Sequence, residues 1–163
     1  MVFTLIVLGI DPGNHITGYG IIEKRRSDIQ YITHGEIKLA RSSSSSSCLT
    51  IIYNNLLEII EKTVPDIFAI EDIFYGKNIR SLIRQGEVRG VAILAAAQNK
   101  IPVYEYSPLQ IKKAVVGYGR AEKYQVQTMV KAILKLQQLP SEDAADALAV
   151  AICHINNLMK TPI

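Results

Sequence analysis

Blocks of apolar and polar residues divide the chain into short strands followed by longer helices. Leu5–Ile10 is a nearly unbroken run of branched apolar residues, stopped by Asp11-Pro12-Gly13-Asn14. Such a run suits a strand buried on both faces, and the four residues after it are strong turn formers. Thr17–Glu23 predicts a second strand and Ile29–Leu39 a third, joined by the polar Lys24–Asp28 stretch. Together they read as an antiparallel meander whose first strand is central. Ser42–Ser47 is a run of six serines, expected to be a solvated connection that also supplies a helix N-cap. Helical spacing begins after it, with Leu49, Ile52, Tyr53, Leu56, Leu57, Ile59 and Ile60, and stops at Pro65.

The second half alternates strand and helix. Ile67–Ile70 predicts a strand that closes on Glu71, and a polar loop, Asp72–Asn78, leads into a long helix from Ile79 to Asn99. Val103–Tyr106 is a fifth strand. Pro108–Val116, Ala121–Lys135 and Ser141–Met159 read as three further helices, with Gly117 and Gly119 after the first and Pro140 before the last. No internal repeat or domain boundary is visible, so residues 1–163 read as one domain. The order β-β-β-α-β-α-β-α-α-α predicts an α/β chain: a mixed five-stranded sheet with helices on both faces. That is the order of a ribonuclease-H-like fold.

Composition narrows the classes. With 163 residues, 48% apolar and 20% charged, the chain is neither disordered nor collagen-like. Its two cysteines, Cys48 and Cys153, are too few and too far apart for a disulfide scaffold or a zinc knuckle. A reducing, cytoplasmic setting is expected. The longest apolar runs, Val91–Ala97 and Ala147–Cys153, are seven residues each, against roughly 20 for a membrane span. The N-terminus lacks a positive stretch and a cleavage site, and reads as a strand, not a signal peptide.

Net charge is only +3, but it is unevenly spread. Gly76 to Tyr124 holds nine basic and three acidic residues, or +6, which leaves −3 for the rest. Basic residues in or beside glycine-containing loops suit phosphate contact, as with Lys77, Arg120 and Lys123. Arg80 and Lys112 lie in the same basic segment, although a solvated helix face explains some of these charges equally well. Phe74 and Tyr75 sit in the polar loop, where exposed aromatics can stack on unpaired bases or pack back beneath the loop.

The sharper chemistry lies in the acids. Asp11 and Glu71 each end a strand, and ligands of α/β sheets gather at such ends. If the two strands are parallel neighbours, the two side chains share one rim. Asp143 and Asp146, three apart near the start of the last helix, lie on one helical face. Four converging carboxylates would repel one another unless divalent cations neutralised them, and all-oxygen ligation suits magnesium or manganese. Two such ions about 4 Å apart can clamp the attacking and leaving oxygens of a phosphodiester. Taken singly, each acid has a plainer reading as turn former, solvated strand end or helix-dipole partner. His15 is near enough to the turn to line a site, though a surface role fits it better. Cys153, in an apolar helix, reads as core. No Ser-His-Asp, Walker or GxGxxG pattern is present.

Five stretches taken together resemble the RuvC family of bacterial Holliday-junction resolvases: GIDPGNHITGYGII (9–22), FAIEDIFYGKN (68–78), RQGEVRGVAILAA (84–96), VVGYGRAEKYQVQTMV (115–130) and EDAADALAVAICH (142–154). The resemblance runs in order along nearly the whole chain. It implies a ribonuclease-H-like homodimer that cuts four-way DNA junctions with magnesium. By the same resemblance Asp11, Glu71, Asp143 and Asp146 are the catalytic, metal-binding acids. Lys112 and Lys123 match residues set against DNA, and Phe74 matches an aromatic that stacks at the opened junction centre. The helix around Arg84–Ala97 matches a dimer helix, although packing on its own sheet would also explain its alanines. The family's partners are RuvA and RuvB. Asp72 stands where the family often has Gln, which puts an added negative charge near the metals. The serine run replaces a more varied segment, and no long basic tail follows the last helix.

Three other readings are consistent with parts of the pattern. One is a ribonuclease-H-like nuclease that processes structured RNA. Another is an actin-like ATPase fragment, since GIDPG followed by TGYG resembles its phosphate loop. The third is a junction-binding module without catalysis.

Overall fold

The structure, a computed structural model, describes residues 4–26, 28–40, 44–73 and 78–158. Five strands and five helices follow in the expected order: β1 (Thr4–Asp11), β2 (Ile16–Arg25), β3 (Asp28–Lys38), α1 (Ser45–Thr63), β4 (Ile67–Glu71), α2 (Ile79–Gln98), β5 (Val103–Tyr106), α3 (Pro108–Val116), α4 (Lys123–Ile133) and α5 (Glu142–Leu158). The sheet order is β3-β2-β1-β4-β5, with β1–β2 and β2–β3 antiparallel and β1–β4 and β4–β5 parallel. The meander and the central first strand are both as the pattern predicts.

Side chains alternate along a strand, so a strand covered on both sides feeds two cores. Val7 joins Ala69, Tyr106, Ile111, Val126, Val130 and the apolar face of α5 on one side of the sheet. Leu8 and Ile10 join Phe68, Ile70, Ile52, Leu56, Val88 and Ala92 on the other, under α1 and α2. This is the mixed sheet with helices on both faces, and no helix among the described residues is long and apolar enough to cross a membrane.

Boundaries differ where local capping decides them. The serine run is not all connection: Ser44 is the N-cap of α1, its hydroxyl accepts from the Ser47 N–H, and Ser45–Ser47 form the first turn. Helix α3 keeps its predicted ends because Ser107 and Gln110 form a capping box, Pro108 opens the helix, and Gly117 closes it at φ 97°. Helix α4 is two residues shorter at each end than its apolar spacing suggests: Glu122 and Gln125 form the capping box that starts it, and Leu134 caps its other end. Strands β1 and β2 run a residue or two past their apolar runs, which brings Asp11 inside β1.

Candidate active site

Asp11 and Glu71 are the last residues of β1 and β4. These strands are parallel neighbours, so the two acids do share one rim. Alternation puts Asp11 on the face of Val7 and Gly9, and Glu71 on the face of Ala69, which is the face covered by α5. The ladder between the two strands pairs Val7–Ile10 with Ile67–Ile70 and stops there. Beyond it Asp11 pairs only with Gly18 of β2, and Glu71 only with Tyr106 of β5.

Helix α5 brings the other two acids by an unusually close approach. A Cβ added at Gly9 would lie 2.1 Å from the carbonyl oxygen of Ala147, and one at Gly18 would lie 2.0 Å from that of Asp143. The helix main chain therefore occupies the space that side chains would take. Ala144, Ala145, Ala147 and Ala151 supply the matching small surface. Gly18 and Gly20 belong to β2 and seat this helix, so TGYG is not a phosphate loop here.

The four acids answer to one another. Burial, reinforced by Glu71, holds Asp11 well above the usual carboxylate range. A hydrogen bond joins the two carboxyl groups; burial raises Glu71 as well, while Lys112 and Lys123 oppose that rise. Burial, then Asp11, pushes Asp146 up to about 7. Asp143 is raised by burial and by Glu36. Among the described residues no three His, Cys, Asp or Glu side chains stand close enough to hold an ion as they are. The donor set is nonetheless all carboxylate oxygen, partly buried and short of compensating charge, which fits a hard divalent ion.

A cleft of about 180 Å³ opens beside them, lined by Glu71, Asp146, Lys112, Lys123, Pro108, Ile111 and Val126. Lys112 and Lys123 thus share the cleft with Glu71 and Asp146 and act on them through charge, and Lys123 pairs with Glu142 at 3.1 Å. Arg80, exposed in the first turn of α2, and Arg120, exposed before α4, do not line the cleft. Phe74, Tyr75 and Lys77 lie outside the described residues. His15 is exposed, and its carbonyl accepts from the Leu39 N–H.

Other residues near the site were not apparent from sequence. Glu36 pairs across β2 with Gly18, so Asp11, Gly18 and Glu36 form one row across three strands. Its carboxylate accepts from Ser141 at the foot of α5, which lowers its pKa. Arg89 of α2 is 3.4 Å from the Asp72 carboxylate and also pairs with Glu105. The extra charge of Asp72 is thereby offset only in part, since one guanidinium serves two carboxylates. Gln85 donates to the Pro12 carbonyl at 3.0 Å, and Asn14 donates to Ser81. A signal for these existed: Ser81 and Gln85 fall on the helical stripe of Val88, Ala92 and Ala96, where apolar residues are expected. Ala92, Ala95 and Ala96 of α2 pack inward on its own sheet. The outward face is Ile79, Ile83 and Leu94, at 72%, 60% and 49% exposure.

This strand order, with helices on both faces and acids on the rim of two adjoining parallel strands, is the ribonuclease-H-like architecture. The chain belongs to the RuvC family, since the model described as crossover junction endodeoxyribonuclease RuvC matches residues 7–154. It is accordingly an endonuclease of that family. Curated relatives of that name from Ruminiclostridium cellulolyticum and Caldanaerobacter subterraneus are 49% and 50% identical, over 94% of this chain and 93% and 95% of theirs. Among solved structures, RuvC of T. thermophilus in complex with a Holliday junction substrate superposes with a TM-score of 0.89 at 29% identity, covering 94% of each chain. The yeast mitochondrial Holliday junction resolvase Ydc2 shares the fold, with a TM-score of 0.65 at 14% identity, over 92% of this chain and 78% of that one.

Proposed function

We propose that this chain is the single catalytic domain of a homodimer that resolves four-way DNA junctions by paired, symmetric nicks in homologous recombination and DNA repair, in the cytoplasm. The observation that carries this is the convergence of Asp11, Glu71 and Asp146 with Lys112 and Lys123 on one rim, with Asp143 on the same helical face as Asp146. The relative solved with a Holliday junction substrate supports the choice of DNA.

In this reading Asp11, Glu71, Asp143 and Asp146 hold magnesium, two ions per site, with manganese as a substitute. When bound, the ions neutralise the acids and activate the attacking water for in-line displacement at phosphorus. Burial of Asp11 and Glu71 limits competing water. Lys112 and Lys123 draw the scissile phosphate into the cleft, Arg80 and Arg120 bind phosphates further out, and Lys77 adds a phosphate contact. Phe74 and Tyr75 stack on bases unpaired at the crossover. The exposed Ile79, Ile83 and Leu94 of α2 support pairing with a second copy, so that two sites face opposed strands of a nearly two-fold junction. RuvA and RuvB are the partners implied by resemblance.

The test is a synthetic mobile four-way junction incubated with and without magnesium, with the nicks mapped. Wild type gives symmetric, ligatable nicks that need the metal. Asp11→Asn binds the junction as wild type does but cuts at least about 10³-fold more slowly, given what positioned metal chemistry contributes. Cleavage of structured RNA in preference to the junction, or cutting by Asp11→Asn at the normal rate, would overturn the reading.

A further inference from the structure

We infer that Gln85 and Arg89 are positioning residues that fix the spacing between the two acid-bearing strand ends. This rests on the reading of Asp11 and Glu71 as acids that act together. The ladder between β1 and β4 ends at the Ile10–Ile70 pair, one residue short of both acids. Each acid is then paired only outward, Asp11 to β2 and Glu71 to β5. No residue pair of this ladder joins the two acids to each other.

Helix α2 spans that seam. Gln85 donates from Nε2 to the Pro12 carbonyl, immediately after Asp11, at 3.0 Å. Arg89 donates from Nε to the carbonyl of Glu71 itself at 3.4 Å. The two side chains are one helical turn apart, so a single rigid element holds both strand ends. The guanidinium is in turn held by Asp72 and Glu105, and only 15% of its surface is exposed. Asn14 and Ser81 add a second tie between the turn after Asp11 and the same helix.

Four measurements on the full chain test this: junction binding without metal, magnesium-dependent cleavage, magnesium for half-maximal rate, and the rise in melting temperature on adding magnesium. Methionine matches glutamine in bulk but cannot donate. Gln85→Met should bind the junction within about twofold of wild type, cut roughly 10–100-fold more slowly, and need more magnesium. Its magnesium-induced rise in melting temperature should be smaller. Arg89→Lys keeps the charge for Asp72 and Glu105 but loses the planar fork, and should fall in the same direction. If that variant fails to fold, the glutamine variant still decides. Wild-type turnover together with a wild-type magnesium-induced melting shift in Gln85→Met would overturn the inference. Asp11→Asn runs alongside. If it is inactive while Gln85→Met is unaffected, only the positioning role falls; if it cuts normally, the reading of the acids falls and takes this inference with it.

Discussion

The two faces of the sheet deliver acids to the same rim by opposite means. On the α5 face, main chain lies on main chain: Gly9 and Gly18 give up their side-chain space to the carbonyls of Ala147 and Asp143. On the α2 face, long polar side chains reach from the helix to the strand ends, through Gln85 and Arg89. The first arrangement is a seat that fills completely or not at all, because packed interiors do not yield by fractions of an ångström without cost. The second is a set of ties, each worth about 1 kcal/mol, that can loosen one at a time. Asp143 and Asp146 should therefore be lost together, and the spacing of Asp11 and Glu71 should be tunable.

The strongest way to break the seat is Gly18→Ala. The added methyl would meet a backbone oxygen that cannot step aside, so α5 must lift. We expect a cost of about 2–3 kcal/mol, a melting temperature lower by roughly 5–10 °C, and cleavage slower by about 10²-fold. Calorimetry and junction assays on one preparation would check all three. Normal activity with normal stability would mean that the seat does not hold the acids.

A change in pH sharpens the comparison at the acids themselves. The pKa of Asp146 is raised to about 7. A raised carboxylate holds its proton more tightly when folded. Its contribution to stability is full below the ordinary carboxylate range and is lost as pH climbs through 7. Metal-free wild type should therefore melt lower at pH 8 than Asp146→Asn, by about 2–4 °C for a difference on the order of 1 kcal/mol, and the two should be alike at pH 4. With limiting magnesium, wild-type cleavage should fall by at least about tenfold per pH unit below 7, since protons compete with the cation for Asp146 and for the other raised acids. A flat profile between pH 5 and 8 would show that Asp146 titrates elsewhere.

The smallest effect should come from the outer side of α2. A Cβ added at Gly90 meets nothing within 4 Å. Gly90→Ala should stabilise the chain by about 0.5–1 kcal/mol through helix propensity, with the same change that ruins Gly18. Urea melts at low protein concentration would measure it. A destabilised Gly90→Ala chain under those conditions would show that a neighbour already occupies that face.

What sequence could show followed from where each signal resides. Val103–Tyr106 and Pro108–Val116 were placed to the residue because Ser107, Pro108 and Gly117 are local punctuation. The double-sided burial of β1 was plain in Leu5–Ile10, and the four acids stood out as strand-end and helix-face positions. The serine run supplies the N-cap expected of it, at Ser44, but a polar repeat looks like a connection and hides that Ser45–Ser47 already belong to the helix. Gly9 and Gly18 were visible as glycines within strands, a sign of close backbone approach, but what approaches them is more than a hundred residues away in sequence. The ties made by Gln85 and Arg89 were hidden for another reason. Their partners are carbonyls, and carbonyls carry no letter in the sequence.

The seat also fixes when activity can arise. Strands β1 and β2 leave the ribosome early, whereas α5 is the last element described and fills the glycine surface they present. Until it docks, two of the four acids are absent from the rim and the other two face open water. A chain synthesised only as far as α4 lacks two of the four candidate acids, so the rim is complete only once α5 has packed.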